Sequence, residues 1–228
     1  KGNLPIVTSD KKLLEAFSSA YQAGNFIATT DPVSYKLASI TLVDIHLDID
    51  VSQSKPSIDF SGFKQAIGTL GEYMSPGSLI IIETTVPPGT CEKIVAPILK
   101  DKLKSRGLPE DSILLAHSYE RVMPGSDYYD SIVNFWKVYS GMTSEAANAC
   151  EMFFDNIINT REFPLTRLHS TTASEIAKIL ENSYRAVNIA FIEEWGRFAE
   201  AIGVDLFEVI QAIRVRPTHN NIRQPGFG

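Results

Sequence analysis

Hydroxyl and carboxylate side chains follow two apolar runs of this sequence, at positions where they could act together. Thr84 and Thr85 come directly after the run 79–82, and Glu120 follows the run 113–116. Short apolar runs bounded by turn signals predict buried strands. Ligands of open α/β sheets bind at the carboxyl ends of the strands. We therefore expect these side chains at one edge of a sheet, where a carboxylate is suited to proton transfer.

An ammonium and an amide occur four residues apart in the longest helical pattern of the chain. Lys178 and Asn182 therefore share one helix face, with Arg185 close by. Most of their neighbours are apolar, and a lysine beside apolar surface changes its pKa readily. Such a lysine could stabilise an oxyanion. The alternative is an ordinary solvated helix face, on which lysine and asparagine are common.

Strands and helices alternate along most of the chain, a pattern that indicates parallel βαβ units. We predict strands at 26–28, 40–45, 79–82 and 113–116, an extended piece at 161–165, and helices at 10–22, 32–37, 61–74, 91–105, 144–157, 172–202 and 206–215. A helix of about 30 residues spans roughly 45 Å, more than a compact domain needs for itself. The fold class is therefore α/β, followed by an all-helical part.

The composition excludes several classes of protein. Hydrophobic residues make up 44% of the chain and charged residues 21%, as in ordinary globular proteins. A formal net charge of −6 without a basic stripe argues against a nucleic-acid partner. No apolar run reaches the roughly 20 residues that span a membrane. The two cysteines form no metal or redox motif, which favours a cytoplasmic protein without a metal site.

Three strings in a fixed order make the pattern specific: ETTVPPGT at 83–90, HSYERVMPG at 117–125 and AKILENSYRAVN at 177–188. Together they resemble the nucleotide-sugar 6-dehydrogenases, which oxidise UDP-glucose, GDP-mannose or UDP-N-acetylhexosamines to uronic acids with NAD. The string RVMPG at 121–125 is most like the branch that oxidises UDP-N-acetylhexosamines such as UDP-N-acetylmannosamine. The resemblance implies a partial Rossmann-like NAD-binding domain at 1–166. A helical dimerisation and substrate domain follows at 167–228, with a homodimer formed through the helix 172–202.

The same resemblance implies roles for individual residues. The catalytic residues would be Thr85, Glu120, Lys178 and Asn182. The NAD-binding residues would be His46, Leu47, Thr84, Thr85 and Val86. The residues that bind the UDP-sugar would be Glu120, Arg121, Val122, Lys178, Asn182, Arg185, Arg216, Asn220 and Arg223.

The last three of these lie in a tail rich in cations and amides. Guanidinium groups bind phosphate oxygens bidentately, so Arg216 and Arg223 are suited to a diphosphate. Compensation of a helix dipole is the alternative role of such a basic helix end. Cys91 begins a predicted helix, and we interpret it as a structural thiol.

The sequence also departs from the family pattern. Tyr119 stands where proline is usual, and Pro124 where the UDP-glucose branch has a second glutamate. His46 and Leu47 replace a usual Pro-Thr pair beside the cofactor. No G-x-G-x-x-G string occurs, and the string at 225–228 is one that precedes the loop with the catalytic cysteine in the family. We therefore interpret the chain as the middle of a longer enzyme, inactive by itself.

The resulting hypothesis is an enzyme that oxidises the C6 alcohol of a nucleotide sugar in two hydride transfers to NAD. Its product would be a uronic acid for surface polysaccharide precursors. One alternative is a β-hydroxyacid dehydrogenase, which also carries a lysine and an asparagine four apart on a long helix. The other alternative is a non-catalytic dimerisation module.

Overall fold

A computed structural model describes residues 4, 6–52, 54–123 and 125–224. The chain forms two compact units, Lys1–Ile176 and Ala177–Gly228, and each is described by itself. The strands are β1 (Ile40–Val43), β2 (Ile49–Asp50), β3 (Ser57–Ile58), β4 (Leu79–Ile82), β5 (Leu114–His117), β6 (Val138–Gly141) and β7 (Thr166–Arg167). The α-helices are α1 (Lys11–Gln22), α2 (Ser61–Tyr73), α3 (Ala96–Ser105), α4 (Tyr128–Val133), α5 (Ser144–Asp155), α6 (Thr171–Ala201) and α7 (Leu206–Arg214).

The first unit contains a five-stranded sheet in the order β1-β4-β5-β6-β7, and β2 and β3 form a separate antiparallel pair. Strands β1, β4 and β5 are parallel, β6 is antiparallel to β5, and β7 is parallel to β6. Parallel strands and intervening helices confirm the α/β fold class. The antiparallel strand β6 was not predicted from the sequence.

Strand β4 lies between β1 and β5 and is buried on both faces of the sheet, which explains its unbroken run of apolar residues. Successive side chains of a strand point to opposite faces. Ile80 and Ile82 pack with α2 and α3 in one core, whereas Leu79 and Ile81 pack in a second core with residues of α5. The sheet edge that carries the predicted site is thus fixed by helices on both sides.

Several helix boundaries agree closely with the sequence prediction. Asp10 caps α1, because its carboxylate accepts a hydrogen bond from the backbone N–H of Leu13. The segment Pro32–Lys36 forms a short 3₁₀ helix, and Cys91–Val95 forms a π-helical turn that leads into α3.

Two predicted extended segments are wrong. Residues 26–28 form no strand: among the described residues β1 pairs only with β4, so its other edge has no neighbouring strand. Phe26 instead packs edge-on against Phe17 of α1, with 5.3 Å between the ring centroids. The extended piece at 161–165 begins with a turn, and β7 starts only after Pro164. Proline cannot donate to a ladder, so the strand begins beyond it.

The second unit consists of most of α6 and of α7. Gly203, with φ 71°, ends the long helix as predicted, and Asp205 caps α7 through the backbone N–H of Phe207. A small core forms from Ile192, Ala199, Leu206 and Ile210. Other large apolar side chains of α6 are exposed: Ile176, Leu180, Tyr184, Val187, Phe191 and Phe198. In the described part of the chain, no helix has the length and apolar character that crossing a membrane requires.

Candidate active site

Three charged side chains meet where strands β4 and β5 end. Glu83 directly follows β4, and Glu120 lies three residues beyond β5. Lys137 directly precedes β6, and because β6 is antiparallel, its beginning lies at the edge where β5 ends. Its Nζ is 2.8 Å from Glu83 Oε1 and 2.6 Å from Glu120 Oε2. The lysine is only 7% exposed, so one buried ammonium joins two carboxylates.

Glu120 is held at both carboxylate oxygens. Oε2 accepts from Lys137, and Oε1 accepts from the backbone N–H of Arg121 at 2.6 Å. Arg121 is itself fixed, since its guanidinium donates to the Tyr119 hydroxyl at 2.8 Å and to the Trp136 carbonyl at 3.1 Å. Its guanidinium carbon lies 4.9 Å from the centroid of the Tyr119 ring. The tyrosine that replaces the usual proline therefore supports the loop that carries Glu120.

Glu83 is largely buried, with a side chain that is only 11% exposed. Burial raises the pKa of this carboxyl group, and the attraction of the Lys137 ammonium opposes that effect. The ammonium also lies 5.2 Å from the ring centroid of Phe154, which adds a cation–π contact. Sequence inspection did not single out Glu83 or Lys137, because the position of Lys137 depends on the unpredicted antiparallel strand.

The predicted cofactor residues occupy different environments. Thr84 is buried and joins the ends of β1 and β4, since its hydroxyl accepts from the Ile45 N–H at 2.8 Å and donates to the Val43 carbonyl. The side chain of Thr85 is exposed at the same edge, whereas that of Val86 is packed in the core.

The two residues that follow β1 also differ. His46 is exposed and lies 3.0 Å from Asp48, and Leu47 packs against the core. Thr85 and His46 therefore present polar groups where a dinucleotide fold binds its ligand. The residues that face the edge are compatible with the nicotinamide part of NAD. The sequence offers no glycine-rich turn for its pyrophosphate.

A second carboxylate supports the loop after β4. Glu175, near the start of α6, is 1% exposed and accepts hydrogen bonds from the backbone N–H groups of Gly89 and Cys91. Gly89 has φ 87°, a conformation that side chains rarely adopt. Burial and the Glu175 carboxylate raise the pKa of the Cys91 thiol well above its usual value, so this cysteine is a poor nucleophile.

Three buried polar side chains join β5, β6 and the start of α6. His117 Nδ1 and Ser174 Oγ are 2.7 Å apart, and Ser174 Oγ lies 2.7 Å from Ser140 Oγ. Burial, followed by repulsion from the Lys137 ammonium, lowers the pKa of His117 to about 4. The imidazole is therefore neutral near pH 7, and its role is structural.

The predicted residues of the second unit lie along α6 and after α7. Lys178 is half-buried, and Asn182 and Arg185 are exposed on the helix at the predicted spacing. Beyond α7, a 3₁₀ helix at Pro217–His219 separates Arg216 from Asn220, and both are exposed.

The remaining predicted residues lie in the tail after α7 and in the loop after β5. Arg223 is exposed, whereas Arg214 is engaged by the Ile222 carbonyl at 2.9 Å. Val122 is half-buried beside Arg121. Two features of the sequence prediction, Pro124 and the string at 225–228, lie outside the described residues.

A largely parallel sheet with polar groups at its carboxyl edge, followed by a long helix, is compatible with the NAD-binding class of dehydrogenases. Residues 1–158 match the family model described as the UDP-glucose/GDP-mannose dehydrogenase family, NAD binding domain, and residues 172–228 match the central domain of the same family. The chain therefore belongs to the UDP-glucose/GDP-mannose dehydrogenase family, whose cofactor is NAD.

Individual relatives agree with this assignment. The chain is 29% identical over 225 residues to a UDP-N-acetyl-D-mannosamine dehydrogenase of Methanocaldococcus jannaschii, a match over 99% of this chain and 48% of the relative. A Pyrococcus horikoshii protein of the same name is 36% identical over 171 residues, 75% of this chain and 38% of that protein. The solved structure of the UDP-D-ManNAc dehydrogenase from Pyrococcus horikoshii superposes with a TM-score of 0.84 at 28% identity, over 100% of this chain and 51% of that one. The chain spans about half the length of these relatives or less.

Proposed function

We propose that the protein oxidises the C6 alcohol of a UDP-N-acetylhexosamine to the uronic acid in two hydride transfers to NAD. The observation that carries this proposal is the fixed carboxylate of Glu120, at the carboxyl edge of the sheet in a chain of this family. The named relatives are UDP-N-acetyl-D-mannosamine dehydrogenases, which supports an N-acetylated sugar over glucose. A product of this kind suits surface polysaccharide synthesis. We also propose a cytoplasmic location, which two free cysteines without a redox motif support.

The proposed roles divide between hydride transfer and hydrolysis. NAD supplies the hydride acceptor when bound. The Lys178 ammonium and the Asn182 amide stabilise the oxyanion that develops on the sugar carbon. Glu120 accepts the proton of the hydrolytic water, and the Thr85 hydroxyl holds that water beside the nicotinamide site. Arg216, Asn220 and Arg223, with Arg185 and the loop at 121–122, bind the UDP part of the substrate.

A covalent acyl intermediate requires a reactive thiol that neither cysteine of this sequence provides. Cys91 and Cys150 are both buried, and burial raises the pKa of Cys150 to about 12. In the proposed mechanism the nucleophile is the cysteine that the family carries after the string at 225–228. Residues 1–228 also contain no G-x-G-x-x-G turn for the pyrophosphate of NAD, so we predict that they produce no NADH by themselves.

The experiment is a stoichiometric assay of the full-length protein. With UDP-N-acetylmannosamine, two NADH should form for each sugar consumed, and the product should be the acid. UDP-glucose and GDP-mannose test the sugar, and a β-hydroxyacid such as 3-hydroxyisobutyrate tests the alternative enzyme class. Two NADH from another nucleotide sugar would correct the substrate, whereas one NADH from the β-hydroxyacid alone would overturn the function.

We further propose a homodimer through α6. Its exposed apolar residues occupy more surface than the small core of the second unit can cover, so a partner surface is expected. Replacement of Leu180 and Phe191 by glutamate should shift the sedimentation mass from dimer to monomer, and the matched change Gln211→Glu on α7 should not. A monomeric wild-type protein at micromolar concentration would rule the dimer out.

A further inference from the structure

We infer that Lys137 is a positioning residue for Glu120, and that Glu83 balances the charge of Lys137 in the interior. This inference rests on the proposed function. Lys137 acts on the reaction only through the carboxylate that it holds.

The sheet order explains why this lysine reaches the site. Glu83 and Glu120 follow neighbouring parallel strands, and the reversed direction of β6 brings Lys137 to the same edge. One ammonium has three donors, and here two carboxylate oxygens accept from it at 2.8 and 2.6 Å. The lysine therefore links the carboxylate of the catalytic loop to the rigid centre of the sheet.

Charge neutrality alone does not require the second carboxylate. A buried lysine needs one counter-ion, and Glu83, with a side chain only 11% exposed, already supplies it. The side chain of Glu120 is 28% exposed and lies on a loop beyond β5. The Lys137 contact at Oε2 and the Arg121 N–H at Oε1 fix the plane of this carboxylate. A general base has to approach the attacking water at one angle, so a fixed carboxylate plane favours the reaction.

The affected step is hydrolysis of the acyl intermediate. The water oxygen forms a bond to the acyl carbon as the carbon–sulfur bond breaks, and one water proton passes to Glu120. Glu120 then returns that proton to the departing thiolate. Both hydride transfers precede this step, so a misplaced Glu120 should slow the steady state without slowing the formation of NADH in the first turnover.

The test uses variants of the full-length protein that separate positioning from folding. Lys137→Met alone leaves the Glu83 carboxylate buried without its counter-ion, which could prevent folding. The double variant Lys137→Met/Glu83→Gln removes both charges and keeps similar shapes, and it is compared with Glu83→Gln alone. Lys104→Met is the matched control, since Lys104 forms an exposed pair with Glu110.

Rapid mixing with NAD and UDP-N-acetylmannosamine should show a first-turnover burst of NADH at the rate of Glu83→Gln. The steady-state rate of the double variant should be lower by roughly 10- to 100-fold, because a displacement of about 1 Å can cost 10²-fold in rate. In the Glu83→Gln background, Lys137→Arg keeps a cation at this position and should recover most of this loss. In a Glu120→Gln background, removal of Lys137 should cause no further loss, since both changes act through one group.

Three results would overturn the inference while leaving the function intact: a steady-state rate within twofold of Glu83→Gln, equal slowing of burst and steady state, or an additive loss in the Glu120→Gln background. If the wild-type protein forms no NADH from any nucleotide sugar, the function itself fails, and the inference fails with it.

Discussion

The sheet edge and the long helix both carry predicted catalytic residues, but the positions of these residues are fixed in different ways. At the edge, Glu120 is held by Lys137 and by the Arg121 N–H. On α6, Lys178 is half-buried, and Asn182 and Arg185 are exposed. These contacts of Glu120 thus come from the first unit, whereas the spacing of Lys178, Asn182 and Arg185 is set by the helix itself. We interpret the first as the place for water and proton transfer and the second as the place for the substrate oxyanion.

The largest expected effect concerns the helix face. Lys178→Ala in the full-length enzyme should lower kcat by roughly 10²–10³, because a preorganised donor acts mainly in the transition state. Substrate binding should change much less. Asn182→Ala should act in the same direction but more weakly, since it removes a neutral donor. Steady-state kinetics on folded protein check both.

A matched control is available on the same helix. Arg197 pairs with Glu193 and Glu194 on an exposed face, so Arg197→Ala should keep kcat within about twofold. If Lys178→Ala behaves like this control, the helix face is an ordinary solvated surface and the proposed division of roles is wrong.

The next effect concerns the loop after β4 and is one of stability. Glu175→Ala leaves the N–H groups of Gly89 and Cys91 without their acceptor in a buried place. We expect a loss of about 3 kcal/mol in the free energy of unfolding, because each buried donor without a partner costs about 1–3 kcal/mol. Urea unfolding followed by circular dichroism measures it.

Glu193→Ala, an exposed change on the same helix, should cost less than about 0.5 kcal/mol. Equal midpoints for the two variants would show that the Glu175 contacts contribute nothing to stability. The loop with Thr85 would then depend on other contacts.

The sequence predicted the helices and strands better than the contacts between side chains. Strand β4 was found at its observed bounds, since an unbroken apolar run has few other uses, and Asp10 marked the start of α1 correctly. The residues that hold Glu120 escaped notice. In the sequence, Lys137 is indistinguishable from a surface lysine. It is buried beside two carboxylates because β6 runs antiparallel to β5.

The same limit applies to the pair of Glu175 and Gly89. These residues are 86 positions apart, and no local pattern indicates that they meet. The motif ETTVPPGT identified the loop, but the carboxylate that supports its backbone comes from another element. Contacts of high sequence separation depend on the packing of whole elements, and a single sequence does not encode them in spacing.

The smallest expected effect is a pH dependence of stability that arises from His117. The imidazole is buried, its pKa is lowered to about 4, and that of the unfolded chain is near 6.5. Below pH 6.5 the His117 imidazole of the unfolded chain binds a proton, whereas in the folded protein it binds one only below about pH 4. This histidine therefore causes a loss of stability as the pH falls from about 6.5 to 4, and the loss levels off below that. At pH 5 the loss amounts to about 2 kcal/mol.

His117→Asn tests this linkage, because asparagine keeps a polar group near the Nδ1 position beside Ser174 but does not titrate. The variant should start from lower stability at every pH, since it leaves unfilled space in the core. Between pH 6.5 and 4, the unfolding free energy of the wild type should fall more steeply than that of the variant, whereas between pH 7 and 9 the two slopes should agree. The remaining titratable groups are the same in both proteins, so the difference between the two curves isolates His117. Parallel curves across the whole range would mean that the buried imidazole takes up its proton as easily as it does in the unfolded chain. The core beneath the sheet edge would then be open to water, and the rigidity that we attribute to the edge would have no basis.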